Sequence, residues 1–408
     1  MEDTDVEIDR YGLLTIAIPK SRSNSTIDTI SYSSTHVVYI KNDFFESKCR
    51  KNEDDTRNLI LKGGDLFLEI KRYLQSWDAP YLRLFLKKNH DVTRINLSYN
   101  QIDSFGFIDI IKYVINDDHI LEIDCRYNNI TESGISYLLN NGEKLKLKVL
   151  QLSGNKIGNE GAMKVALTMQ KNIYIERLEV ADIDQTEESL IYFTTILRTD
   201  QEYHNKSLKI LDLSRPITEC LYYKFNSQHI AEAIGSMLRS NASLEELYLQ
   251  KFSFSCHDIE AMIEDAKYNR TLKCLDFRCN NIGDHGMEIL SKWLQQGSTL
   301  QTLLLGHNII TNHGIRALSR AISVSRIIIL DVSYNRFNDE GCSELLYSIK
   351  KIWVLRQLQI YGNKIGHKTA KIIQQMLLST ILNQDRIDVE IYEVDDTLHL
   401  AYRECQTF

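Results

Sequence analysis

Histidine and cysteine are the residues of this 408-residue chain from which metal or nucleophilic chemistry would be built, and their spacing favours neither. His285, His307 and His313 cluster in sequence, but His285 and His313 fall just before helix starts and His307 stands beside a recurring Asn. Solvated or capping roles suit them better than metal ligation. The eight cysteines (49, 125, 220, 256, 274, 279, 342 and 405) are scattered. Cys274 and Cys279 flank one apolar segment, and no second pair or His cluster completes a zinc set. They read as reduced structural thiols, with Cys125 at a core position. Neither a GxxxxGK[ST] phosphate loop nor an HExxH helix occurs. No catalytic residue, metal or cofactor is expected, and the chain is not expected to be an enzyme.

What recurs is acid. In a series of short apolar segments, the residue between two buried positions reads Asn96, Asp124, Gln151, Glu179, Asp212, Tyr248, Asp276, Leu304, Asp331, Gln359 and Asp388. Glu122, Glu246 and Glu390 stand beside the row, and Arg94, Arg126, Arg177, Arg278 and Arg386 interrupt it. If the segments are parallel strands, these side chains lie ~5 Å apart, and carboxylates at that spacing repel unless a cation answers them. A basic protein segment is the expected answer, although a row of charges that merely keeps an open sheet soluble fits the same pattern. The candidate protein-binding residues are Asp124, Glu179, Asp212, Tyr248, Asp276, Asp331 and Asp388.

The elements that carry this row are best read at Leu272–Leu305. Leu275 and Phe277 alternate as a short strand, and Met287, Leu290 and Leu294 then form the inner stripe of a helix. One strand and one helix cannot bury their own apolar faces, so units of this size must stack. Asn280 and Asn308 are 28 residues apart, and the same Asn position recurs at Asn100, Asn128, Asn155, Asn335 and Asn363. A buried Asn has both donors and an acceptor, so stacked copies can satisfy the turn that leaves each strand. Six residues after it stands Gly106, Gly134, Gly161, Gly286, Gly314 or Gly341, with Thr369 in the last case. Gly there implies a close approach or a positive φ.

The middle departs from the pattern. Over 183–252 the Asn position holds Ile183, Pro216 and Phe252, and the steps lengthen to 33 and 36 residues. Extra residues enter at TDQEYHNK (199–206) and TECLYYKFNSQ (218–228). Repeat decay and a binding loop are both open readings; under the second, Tyr203, Tyr222 and Tyr223 are candidate contacts.

The LxLxxN motif with a 27–28-residue period resembles the ribonuclease-inhibitor-like leucine-rich repeat family. That resemblance implies an α/β horseshoe with a concave parallel sheet and outer helices, acting as a non-catalytic protein-binding scaffold. The irregular segments LSRPI (213–217), YGNK (361–364) and DVE (388–390) resemble one branch of the family, associated with germ cells, ciliated cells and the axoneme, and the nucleus and nucleolus. The branch implies a structural part of a ciliary or flagellar axoneme, or alternatively a nuclear or nucleolar regulatory adaptor in germ or stem cells. Inhibition of a basic enzyme is a weaker alternative, because aromatic anchors are sparse on the strands.

The repeats are expected to run over 57–394. Residues 1–56 would be a partly mobile non-repeat segment and cap, with strands at Leu13–Ile18 and Val37–Ile40 around a Ser/Thr-rich linker. Helices are expected at about Leu66–Ser76 and Tyr81–Lys88, with Pro80 as the break, and a C-terminal cap or tail over 395–408. The formal net charge of −7 argues against nucleic acid held through phosphates. The acidic start, MEDTDVEIDRYGLL, has no signal-peptide core, and no apolar run is long enough to span a bilayer. An intracellular protein without a membrane partner is the expectation; its oligomeric state is open.

Overall fold

The computed structural model describes residues 6–8, 14–16, 37–40, 42–220, 223–350 and 355–405. Its body is a twelve-stranded sheet whose neighbours follow chain order from Cys49–Lys51 to Gln357–Gln359. Only the outermost strand, Cys49–Lys51, runs antiparallel to its neighbour; the rest pair in parallel, with Leu275 in register between Leu247 and Leu303. Each parallel strand is followed by a helix on the outer side, as Cys274–Asp276 is by Asp284–Gln295. Leu275, Phe277, Met287, Leu290 and Leu294 are all buried, so both faces of the unit close on one continuous core. Helices are ~10 Å wide and strands ~4.8 Å apart, so stacking them side by side bends the array. The result is the α/β leucine-rich repeat horseshoe, with a concave parallel sheet.

The Asn ladder is built as the motif requires. Asn308 donates from Nδ2 to Phe277 O and Leu305 O, both at 3.0 Å, and accepts from Ile282 N at 2.9 Å. It thus ties its own turn to the preceding one. Asn100, Asn128, Asn155, Asn280, Asn335 and Asn363 make the equivalent pairs of carbonyl bonds. The glycine six residues on answers to crowding. A Cβ on Gly341 would lie 2.7 Å from Asn312 Oδ1 and 3.1 Å from Asn312 Cα, in the preceding helix start. Positive φ is not the reason, because none of these six glycines adopts it.

Where the first ladder fails, a second runs along the opposite edge. Asn172, Asn205, Asn241 and Asn269 are buried at the turns that lead from helix into strand. Asn205 donates to Met169 O and Asn172 O and accepts from Ser207 N and Leu208 N; Asn269 repeats this with Leu238 O, Asn241 O, Thr271 N and Leu272 N. On the first edge, buried Gln185 reaches Leu213 O at 2.6 Å, the carbonyl that an Asn at Pro216 would have taken. The irregular repeats are therefore held by other amides.

The ends differ in detail from expectation. Strands Leu14–Ile16 and Val37–Tyr39 form and pair antiparallel, joined by Val6–Ile8. The Ser/Thr-rich linker lies outside the described residues. A short helix, Asn42–Ser47, forms within the first segment; the helix expected at about Leu66–Ser76 is Gly63–Ile70, shorter than expected, and stops at Lys71 in the left-handed region. Pro80 does not break the chain. It occupies the first turn of the helix Ala79–Leu86, where its missing N–H costs nothing. At the other end, Val389–Val394 and Thr397–Tyr402 form an antiparallel hairpin, and only Ile387 bridges to the sheet, at Leu358. The boundary expected between 394 and 395 falls in the turn of that hairpin, so the cap begins earlier. Cys49, Cys125, Cys256, Cys274, Cys279, Cys342 and Cys405 are free thiols, and burial raises Cys125 and Cys342 well above the usual thiol range.

Candidate functional site: the concave face and its rim

The recurring acid is first of all a turn-maker. Asn96, Asp124, Asp212, Asp276 and Asp331 each accept, through Oδ1, the backbone N–H two residues ahead, at 2.9–3.0 Å. This local bond fixes the exit of the chain from its strand. Asp388 instead caps the previous repeat, accepting from Ile360 N at 2.8 Å and Tyr361 N at 3.2 Å.

Half of the row already has its cation. Arg126 pairs with Asp124 at 2.8 Å and reaches Glu179 at 3.2 Å, Arg177 pairs with Glu179 at 2.6 Å, and Arg278 pairs with Asp276 at 2.6 Å. Gln250 also donates to Asp276. Asp124, Glu179 and Asp276 are buried, so for these three the expected answer, a basic segment of a partner, is corrected. Their own arginines cover them.

Asp212, Asp331 and Asp388 are different. Among the described residues no Lys, Arg or His forms an ion pair with them. Burial pushes all three carboxyls upward, Asp388 to about 6, against the backbone hydrogen bonds that lower them. Tyr248 sits between Asp212 and Asp276 in register, and its hydroxyl donates to Glu246.

Aromatic groups also recur on the turns that follow the strands. The residue immediately before each Asn-ladder position has positive φ in every repeat from the first regular one onward: Tyr99, Tyr127, Gly154, Asp182, Arg215, Lys251, Cys279, His307, Tyr334 and Gly362. It turns the chain so that the next side chain points inward, and its own side chain stands on the rim. Tyr99 and Tyr127 stack with centroids 4.6 Å apart, and His307 and Tyr334 at 4.2 Å. Each stack ends on a glycine: a Cβ on Gly154 or Gly362 would strike the Tyr127 or Tyr334 ring. Tyr99, Tyr127 and Tyr334 are exposed. Left-handed backbone costs a non-glycine residue ~1–2 kcal/mol, so the turn alone gives no reason for tyrosine. The sequence signal was there, as one residue before each Asn, but is legible only once that backbone conformation is known.

Tyr203 and the backbone of Tyr223 are not brought together. Residues 199–206 lead into the strand Ile210–Asp212 and residues 218–226 leave it, which puts the two insertions at opposite edges of the sheet. Tyr203 is exposed, and its carbonyl accepts from Gln170. Tyr223 lies in a two-residue strand pairing with Glu219–Cys220. Tyr222 lies outside the described residues. His285 and His313 contact Glu260 and Glu288 on the outer helices, away from His307 on the rim.

Fold and turns together define a leucine-rich repeat protein, and the family model described as Leucine Rich repeat matches residues 144–166, 268–291 and 327–346. The resemblance read from the irregular segments has a specific counterpart in leucine-rich repeat-containing protein 34. The mouse protein is 34% identical over 225 residues, 55% of this chain and 52% of that one. The rat protein is 36% identical over 199 residues, 48% of this chain and 47% of that one. The chain thus spans about half the length of these relatives. Mouse NACHT, LRR and PYD domains-containing protein 4E is 23% identical over 80% of this chain and 29% of its own. Among solved structures, an internalin from Listeria monocytogenes is similar with a TM-score of 0.38 at 15% identity, covering 82% of this chain and 86% of that one. No helix among the described residues is long and apolar enough to cross a membrane.

Proposed function

We propose that this protein is a non-catalytic scaffold that docks a partner protein on its concave face and rim, through a segment carrying basic side chains. The observation that carries this reading is the uneven answer to the acidic row. Asp124, Glu179 and Asp276 have arginines of their own, whereas half-buried Asp212 and buried Asp331 and Asp388 form no ion pair among the described residues, Arg278 acting on Asp331 only from a distance. A partner's Lys or Arg would complete that half, and the rim tyrosines would add slowly dissociating contacts. Asp212→Asn with Asp331→Asn removes both charges while keeping the oxygen that accepts from Ser214 N and Ser333 N. The pair is expected to weaken partner capture and flatten its salt dependence without lowering the melting temperature. Charge removal at Glu288 and Glu344 on the outer helices is the matched control; capture that survives the first pair and is lost with the second moves the site to the convex side.

The setting we propose is a ciliary or flagellar axoneme assembly, on the resemblance to leucine-rich repeat-containing protein 34; a nuclear or nucleolar adaptor is the alternative on the same ground. Retention of the tagged endogenous protein on detergent-stripped axonemes separates them.

A further inference from the structure

At the helix-to-strand turns, where Asn172, Asn205, Asn241 and Asn269 face the backbone, the first regular repeat has Asp117. Its carboxylate faces side chains instead. Oδ2 accepts from the Tyr113 hydroxyl at 2.9 Å, and Oδ1 lies 2.5 Å from His119 Nδ1. His90, on the corresponding turn of the preceding repeat, places Nδ1 3.7 Å from Asp117 Oδ2, and its ring meets that of His119 edge-on at 4.9 Å. One ligand atom from each of the three residues lies within 4.8 Å of the others, and no other such group occurs among the described residues. His119 is nearly enclosed, with its side chain 12% exposed, and its Nε2 is buried without any hydrogen-bond partner. The site therefore departs from the repeat in residue type, in the direction the carboxylate faces and in leaving an imidazole nitrogen unsatisfied.

We propose that His90, Asp117 and His119 form a binding site for one zinc-like divalent transition-metal ion, clipping together the helix-to-strand turns of two adjacent repeats. Two imidazoles and one carboxylate suit Zn²⁺ and its nitrogen-favouring neighbours and do not suit Ca²⁺ or Mg²⁺, which take oxygen. Three protein ligands leave a fourth position to water. Tyr113 holds the carboxylate from behind, the outer support that metal-ligating groups usually have. The ion would replace the direct His119–Asp117 contact as the link between the two side chains. His90, 65% exposed, is the ligand that closes on the ion.

The test is titration of the metal-free chain with Zn²⁺ by calorimetry, and with Co²⁺ as a spectroscopic probe. One ion per chain is expected, with visible Co²⁺ bands and no near-ultraviolet thiolate band. Because His90 is exposed, His90→Ala is expected to leave the fold intact and to weaken binding by ~10-fold or more. His119→Asn does the same, and Zn²⁺ raises the melting temperature of the wild type only. Absence of stoichiometric binding overturns the proposal. So does undiminished binding in His90→Ala, which would put the ion on cysteines or elsewhere.

Discussion

Arg278 folds back on Asp276 across a single residue, with Nη2 2.6 Å from Oδ2 and Nε 3.0 Å from Oδ1, and encloses a carboxylate that is wholly buried. A residue that reads as a partner contact in sequence is therefore part of the core electrostatics. Asp276→Lys would set two cations against each other in that enclosure. Breaking a buried pair typically costs ~3–5 kcal/mol, and urea denaturation should report a loss of that order. Asp212→Asn, with no cation to abandon and its acceptor kept, should leave the midpoint unchanged or raise it.

The two amide ladders make parallel predictions. Asn308→Ala takes one of two donors from Phe277 O and Leu305 O, which keep Asn280 and Asn335, and leaves Ile282 N without its partner; each buried unsatisfied group costs ~1–3 kcal/mol. Asn205→Ala likewise removes a partner from Met169 O, Ser207 N and Leu208 N, inside the repeats where the first ladder is missing. Both variants should melt clearly below wild type. An Asn205→Ala protein with the wild-type melting temperature would mean that the second ladder does not hold the irregular middle.

Asp388 predicts a pH dependence. Its carboxyl is raised to about 6 chiefly by burial, so between the unfolded value near ~3.9 and 6 the folded chain binds the extra proton. This contribution is present in full below the unfolded pKa and is lost as pH rises through the folded one. Asp388→Asn keeps an oxygen for Ile360 N and cannot ionise. Its melting temperature relative to wild type should therefore rise between pH 4 and pH 7; a constant difference across that range would contradict the buried-charge account.

Tyr99 and Tyr334 separate stability from binding. Each occupies left-handed backbone that Asn tolerates better, and each gives up a ring stack worth ~0.5–1.5 kcal/mol when replaced. The two effects oppose each other. Tyr99→Asn and Tyr334→Asn are expected within about 0.5 kcal/mol of wild type by urea denaturation, a span that covers ordinary surface changes, while partner dissociation quickens.

Much of this was legible in the sequence, for a physical reason. Asn308 and its counterparts carry both donors and an acceptor at a fixed period, and the buried leucines alternate around them, so register and curvature follow. The second ladder escaped because Asn172, Asn205, Asn241 and Asn269 recur at the uneven steps of the irregular middle and, in the last three, sit before Ser or Thr, where they resemble surface glycosylation sequons. The concave acids were read only in part. A strand pattern says which way Asp276 points but not that Arg278, two residues on, will fold back to cover it. The rim tyrosines were missed because backbone handedness, not hydrophobic period, decides where they stand. His90 is separated from Asp117 and His119 by a strand and a helix and meets them only when adjacent repeats stack.

The central claim is that a partner docks on the concave face and rim, and site-specific photocrosslinking tests it most directly. A photoreactive phenylalanine analogue is placed in turn at Tyr248 on the sheet, at Tyr99 and Tyr334 on the rim, and at exposed Tyr347 on an outer helix. Irradiation in native extract should yield the same covalent partner from Tyr248, Tyr99 and Tyr334 and none from Tyr347. A partner captured from Tyr347 and not from the other three would contradict the account.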